Sequence, residues 1–453
     1  MTSRPVPDLR IGSAGHSGFT ECPSNRYFVG LHREASGKAI HGALVRTWGF
    51  GLQAVPDVIA VTRLQNARVA AALPTFTAAS ERSATPSERR TTNLSIDTWA
   101  SLRRPAVELA ELSAEVTAPL VGRLGARHGA DLSALRAVGA TNFGHWVHDP
   151  LGRWDFQPTL DSALLAKLTG ITIIDDFPGR DQAHGGRGGP CEATGLWMML
   201  SDRAILPGRI IRAVIDLAET ARVTLLPPRQ PIQLPSHLQC RQVVPLLSLL
   251  DGLARILLRQ PQFDVNEQQA IQGRSLNELA AAWDRVLPGG PTTWSPDGID
   301  VEPLLDVVRN WHVSLVEQVT DVFCTAIHWS SRRLVDYLRR DLPQSQPVGQ
   351  ILLAGPARVH GFIAHLLTQQ LPGIEVMRAD DFGVTSECWE AIAAAILAML
   401  HVDQVPANTY ALTGVETPRV LGRISPGPPG NWHGVLADMA RTLPEKMTLR
   451  SAI

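Results

Sequence analysis

The residues best suited to chemistry lie between Asp175 and Cys191. The run from Ile171 reads Ile-Thr-Ile-Ile-Asp-Asp-Phe-Pro-Gly-Arg-Asp-Gln-Ala-His-Gly-Gly-Arg-Gly-Gly-Pro-Cys. A β-branched strand would deliver Asp175 and Asp176 to its C-terminal end, where ligands gather in α/β sheets. Asp181 follows in a loop, and Gly185, Gly186, Gly188 and Gly189 would let backbone N–H groups come close to an anion. A carboxylate beside such a cradle suits a general base that takes a proton from water or a hydroxyl during group transfer. The same residues would also make a tight, solvated turn with Asp caps. The run lacks the Gly-Lys-Ser/Thr of a Walker A loop.

Other constellations are weaker. His145, His148 and Asp149 have spacing that zinc could use, but no third His or Cys completes the set, so no metal site is expected. Polar surface groups or substrate contacts explain them as well. Gly355 closes a strand-to-helix turn, a common arrangement. No Gly-x-Ser-x-Gly nucleophile elbow is present.

The elements that must position these residues alternate along the chain. Tyr27–Leu31 and Gly42–Arg46 read as a strand pair, Leu102–Arg127 as a long helix, and Ala134–Asn142 as a strand running into a loop. Leu160–Leu168 reads as a helix, Ile171–Ile174 as a strand and Asp175–Pro190 as a loop. Ile210–Leu217 and Arg222–Leu226 form another strand pair, followed by an apolar helix over Leu246–Leu258. Leu304–Ser330 and Arg332–Leu342 read as two helices. Ile351–Gly355 and Ile374–Met377 read as strands around a helix at Phe362–Gln370. Ser386–His401 is an Ala-rich helix. The Ser/Thr/Arg-rich stretch Thr75–Asn93 reads as an exposed insertion. Interleaved strands and helices favour an α/β fold with two layered-sheet lobes, and 453 residues exceed one typical core.

Composition narrows the class. A formal net charge of -1 argues against a nucleic-acid or anionic-membrane partner. No long uncharged apolar run suggests a membrane span, and Met1–Asn25 lacks the apolar core of a secretory signal, reading instead as a flexible leader. Cys22, Cys191, Cys240, Cys324 and Cys388 are scattered without pairing spacing. That fits free thiols in a reducing, cytoplasmic compartment.

Taken in order, these segments resemble the anhydro-N-acetylmuramic acid kinase family of the actin-like sugar-kinase superfold, from about Tyr27 to Pro426. Its Asp-Phe-Arg-x-x-Asp and Gly-Gly-Gln-Gly-Ala-Pro are similar to Asp176-Phe177-Pro178-Gly179-Arg180-Asp181 and Gly185-Gly186-Arg187-Gly188-Gly189-Pro190. Phe263-Asp264-Val265-Asn266, Gly383 with Glu390-Ala391, and Pro406-Ala-Asn with Thr413-Gly414 and Leu421-Gly422 resemble later motifs. The resemblance implies a two-lobed actin-like (ribonuclease H-like) fold with a central cleft. It implies a leader at 1–25, lobe I over 26–207 plus 406–427, lobe II over 208–405 and a tail over 428–453. It also implies Asp181 as catalytic base, with Asp176, Gly186, His148 and Glu390 at the sugar. Gly30, Ser36, Lys38, Asp216, Arg222 and Gly355 would lie on the nucleotide side. The implied ligands are a small amino sugar, ATP and Mg²⁺, and a homodimer is one expected assembly.

The departures concern the nucleotide. The family's Gly-Leu-Met-Ser-Gly-Thr-Ser-Leu-Asp-Gly is replaced by Gly30-Leu31-His32-Arg33-Glu34-Ala35-Ser36-Gly37-Lys38-Ala39, and its Asn-Ile-Gly-Gly-Ile-Ala-Asn by Asp216-Leu217-Ala218-Glu219-Thr220-Ala221-Arg222. Glycines let backbone N–H groups reach phosphate oxygens. A carboxylate about 6 Å from a phosphate charge costs on the order of 3 kcal/mol at an effective dielectric near 20. Two readings therefore stand. The chain opens 1,6-anhydro-N-acetylmuramic acid and phosphorylates its C6 hydroxyl with ATP, as in peptidoglycan turnover. Otherwise it is a pseudoenzyme that binds a sugar or protein partner without ATP.

Overall fold

The computed structural model describes residues 25–34, 37–65, 68–69, 96–128, 132–148, 152–201, 211–229, 233–263, 269–311, 318–340, 348–382 and 387–442. The leader, the Thr75–Asn93 stretch, Ser36 and Gly383 lie outside the described residues.

Apolar residues at β1 (Arg26–Arg33), β2 (Ala39–Trp48) and β3 (Val55–Gln65) pair as an antiparallel meander. Helix α1 (Ile96–His128) then returns the chain so that β4 (Leu135–Thr141) runs parallel to β1. The strands β5 (Gly144–His148) and β6 (Trp154–Pro158) form a separate hairpin. Helix α2 (Ser162–Thr169) leads to β7 (Thr172–Asp175), parallel to β4, and helices α3 (Phe177–Gln182) and α4 (Glu192–Leu200) follow.

The plan then repeats. Strands β8 (Ile211–Asp216), β9 (Thr220–Leu226) and β10 (Gln239–Pro245) form a second meander. Helices α5 (Leu247–Leu253), α6 (Asn277–Val286), α7 (Glu302–Arg309) and α8 (Val319–Arg340) precede β11 (Val348–Ala354). Helix α9 (Gly361–Gln370) links β11 to a parallel β12 (Glu375–Arg378). Helix α10 (Trp389–Val402), β13 (Arg423–Ser425) and α11 (Pro429–Thr442) complete the described chain. The sheets read β13-β7-β4-β1-β2-β3 and β10-β9-β8-β11-β12. Without β13, both have a meander whose first strand is followed by two parallel strands. This duplicated topology is the actin-like α/β fold, as expected.

One contact fixes where α10 lies. Ala391, Ala394, Ala395 and Ala398 recur at helical spacing and give α10 a face of small residues. Gly30 and Gly139 are register partners on the neighbouring strands β1 and β4. A Cβ on Gly30 would stand 1.7 Å from the Ala391 carbonyl oxygen, and one on Gly139 would stand 2.1 Å from that of Ala394. The helix backbone therefore lies directly on the sheet. Its C-terminal end is fixed by Asp403, which accepts bonds from the buried Arg26 guanidinium (2.5 and 2.9 Å) and from Gly51 N–H (2.7 Å).

The structure corrects several sequence readings. Helix α10 packs on β1, β2 and β4, so it sits with lobe I and not in the 208–405 lobe. The 428–453 segment is not a detached tail over its described part, because Asn431 in α11 accepts from Thr172 N–H and donates to the Leu135 carbonyl. The break expected near Ser331 is absent, since Ser330 and Ser331 are buried within the continuous α8. The 175–190 loop contains the single-turn helix α3.

Replacing Gly139 with Ala should lift α10 off the sheet. The expected loss is roughly 3 kcal/mol or more, or failure to fold, read by urea denaturation. A loss below 1 kcal/mol, on the order of ordinary surface changes, would show that this seating is not tight.

Candidate functional site

Asp181 sits where the first sheet ends. At the C-terminus of β7, Asp176 takes a left-handed φ of 52° and accepts from Gly179 N–H at 3.1 Å, which starts α3. One helical turn then directs Asp181 inward, to full burial. Its carboxylate accepts from Asn408 Nδ2 (2.5 Å), Thr413 Oγ1 (2.8 Å) and Gly188 N–H (2.8 Å). Three donors complement an acceptor-only group. A Cβ on Gly186 would meet Asp181 Oδ2 at 2.0 Å. The glycine cradle read from the sequence thus holds the carboxylate of Asp181 itself.

Gly188 also lines a cavity of about 50 Å³ whose wall includes Asn142, Trp146, Phe156, Glu192 and Trp294. Trp146 lies 5.1 Å from Phe156 and 5.2 Å from Trp294, ring centre to ring centre. Trp294 comes from lobe II, on a loop that Gln242 of β10 fixes through Thr292 and Ser295. Burial, then the Glu390 charge, push the Glu192 carboxyl above its ordinary value. Aromatic faces with a few convergent polar groups are what a sugar ring requires. The volume holds waters, not a sugar.

Between the hairpins β1–β2 and β8–β9 lies a network of ion pairs. His32 Nε2 contacts Glu390 at 2.8 Å, and its Nδ1 lies 3.1 Å from Thr141 Oγ1. The other Glu390 oxygen is 3.5 Å from Arg222 Nη2. Arg222 also donates to Asp216 through Nε (3.1 Å) and Nη2. Burial alone would raise the Glu390 carboxyl, but the His32 charge and hydrogen bond, then Arg222, hold it at about 2. Burial pushes the Asp216 carboxyl up against the pull of Arg222. Glu34 approaches His41 (4.0 Å) and Arg63 (3.9 Å) at the rim.

These residues do not fit a nucleoside triphosphate. The open side of Gly30 is taken by α10, and a Cβ on Gly355, whose φ is 82°, would meet Asp216 Oδ1 at 2.4 Å. Arg222 is committed to two carboxylates. Lys38, exposed at the hairpin tip, stands near enough to Asp251 of α5 to stabilise that carboxylate.

The remaining sequence candidates are placed as follows. Glu390 belongs to the ion network, and Gly186 adjoins Asp181. Asp176 does not line the cavity. Its cap to Gly179 and Arg423 at 4.0 Å face β13, and burial, partly offset by Arg423, raises its carboxyl to about 6. His148 is exposed, stacked 3.7 Å from Trp154. Among the described residues no cluster of His, Cys, Asp or Glu could hold a metal ion. Sequence reasoning missed Trp146, Phe156 and Trp294, and gave no role to Asn408, Thr413 or His32. Asn408 and Thr413 lay in quoted motifs and were legible there; Trp294, in an irregular loop, carried no signal.

The duplicated topology, with a cleft between two sheets, defines the class of two-lobed actin-like α/β proteins. The profile of the anhydro-N-acetylmuramic acid kinase family matches residues 89–427, and the chain belongs to that family. The Bordetella pertussis anhydro-N-acetylmuramic acid kinase is 30% identical over 328 residues, covering 70% of this chain and 79% of the relative. The Synechococcus sp. protein of the same name is 29% identical, covering 58% of this chain and 68% of its own length. A ROK family glucokinase from Streptomyces griseus is a distant structural neighbour, with TM-score 0.33, 14% identity and coverage of 82% and 98% of the two chains. Among the described residues no helix is long and apolar enough to cross a membrane.

Glu390 yields a pH test. Its depressed pKa stabilises the folded chain above the ordinary value of 4.5, and that contribution is lost as pH falls toward about 2. At 1.36 kcal/mol per unit, and discounted for its 27% exposure, it is worth roughly 2 kcal/mol. Glu390→Gln should cost that much at pH 7 and less at pH 4, by urea denaturation. A cost independent of pH would contradict the network.

Proposed function

We propose that this protein is an anhydro-N-acetylmuramic acid kinase-like protein that keeps the sugar half of the site and has converted the nucleotide half into an interlobe ion network. It binds an amino sugar of the class its relatives are named for, between Trp146 and Trp294, without turning over ATP. The observation that carries this reading is Glu390, bonded to His32 of lobe I and close to Arg222 of lobe II, in line with Asp216. A triphosphate between those hairpins would add negative charge beside Glu390 and Asp216, which already pair with His32 and Arg222.

A second reading is ATP-dependent opening and 6-phosphorylation of 1,6-anhydro-N-acetylmuramic acid. It is favoured by the retained Asp181, one residue layer behind the cavity wall and held by three donors. On that reading Asp181 would take the proton of the attacking water. Its loss would cost about 10² to 10⁴ in rate.

Titration of the chain with 1,6-anhydro-N-acetylmuramic acid, followed by tryptophan fluorescence, tests the first reading. Binding should change the emission of Trp146 and Trp294, and Trp294→Ala should weaken it roughly tenfold. Lack of any sugar binding would defeat the proposal. Transfer of phosphate from ATP to the sugar that disappears in Asp181→Asn would establish the second reading in its place.

A further inference from the structure

Among the described residues, Glu192 is the one charged side chain on the wall of the cavity that Trp146, Phe156 and Trp294 line. It opens α4, and apart from its own backbone N–H its carboxylate has no hydrogen-bond or ion-pair partner among those residues. The nearby cations are already taken. Arg222 pairs with Asp216 and Glu390, and His32 pairs with Glu390. Arg33 is not on the wall, and its Nη1 donates to the Asn142 carbonyl at 3.2 Å. Burial, then the Glu390 charge, hold the Glu192 carboxyl above its ordinary value. A cation in the cavity would oppose that shift by favouring the ionised form.

The aromatic residues suit the same ligand. Trp146 makes interplanar angles of 58° with Phe156 and 64° with Trp294. Rings tilted in this way enclose a space from several sides, whereas stacked rings would fill it. The backbone sets them in place. A Cβ on Gly188 would meet the Trp146 ring at 2.7 Å, and one on Gly189 would meet the Trp294 ring at 2.7 Å. The walls therefore stand before a ligand arrives, which lowers the cost of binding. Ring faces attract a cation, Trp most strongly, and the attraction grows where water is excluded. Size narrows the choice further. A cavity of about 50 Å³ that holds a few waters takes an ammonium head group and not a whole sugar ring.

We propose that Glu192, Trp146, Phe156 and Trp294 form a pocket for a protonated amine, so that among amino sugars the protein prefers one whose nitrogen is free and charged over its N-acetylated counterpart. This rests on the reading of the cavity as an amino-sugar site, and it names the group that enters it. An acetamido nitrogen is neutral, so it forms neither an ion pair with the carboxylate nor a cation–π contact with the rings. Together such contacts are worth roughly tenfold or more in affinity.

The test is calorimetry on the full chain with D-glucosamine, N-acetyl-D-glucosamine and methylammonium chloride, at a pH where the glucosamine amine is protonated. Glucosamine should bind roughly tenfold or more tightly than N-acetylglucosamine, and methylammonium, the head group alone, should displace it. Glu192→Gln keeps the shape and removes the charge, so it should bring the ratio of the two sugars towards one. Trp294→Leu removes a ring face and should lower that ratio as well, and it serves if Glu192→Gln folds poorly. Equal or weaker binding of glucosamine, no displacement by methylammonium, or a ratio unmoved in both variants overturns the amine pocket while leaving the sugar site standing. Binding of methylammonium with neither sugar bound upholds the pocket and overturns the sugar site. No binding of any of the three overturns both.

Discussion

The seating of α10 on the paired glycines of β1 and β4 is the constraint on which the rest of the structure depends. With Gly30 and Gly139 opposite Ala391 and Ala394, helix and sheet approach until backbone meets backbone. That distance places Glu390, in the first turn of the helix, between the two hairpins, within reach of His32 and Arg222. The far end of the helix is fixed by Asp403 and the buried Arg26. A helix set a few ångströms further out would leave Glu390 in water, and the lobes would lose their charged bridge.

That bridge has an electrostatic consequence. An actin-like cleft that takes a triphosphate presents open glycine backbone and spare positive charge at its hairpins. Here the glycine faces are filled by α10 and by Asp216, and Arg222 is spent on internal carboxylates. Asp181, in the other half of the cleft, is held by the motif residues Asn408 and Thr413.

Much of the architecture was legible in the sequence because local patterns dominate there. The β-branched run before Asp175 and the small-residue spacing of α10 each dictate one element. Asp181 was legible too, since its partners lie in short motifs. What was hidden arises from long-range contact. Trp294 meets Trp146 only because β10 holds an irregular loop across the cleft. The role of Gly30 was misleading: a glycine in a phosphate-loop position reads as a place for phosphate, while its register partner Gly139 shows that its absent side chain makes room for a helix. His148 and Asp176 are polar residues near the site whose geometry directs them elsewhere, one to Trp154 and the other to the start of α3.

In the proposed reading, side chains and not a triphosphate join the two hairpins. Calorimetric titration of the intact chain with Mg-ATP, with and without saturating amino sugar, tests it most directly. No binding heat is expected up to millimolar nucleotide in either case. Micromolar binding of Mg-ATP, with the His32–Glu390–Arg222 contacts opened in the complex, would contradict it.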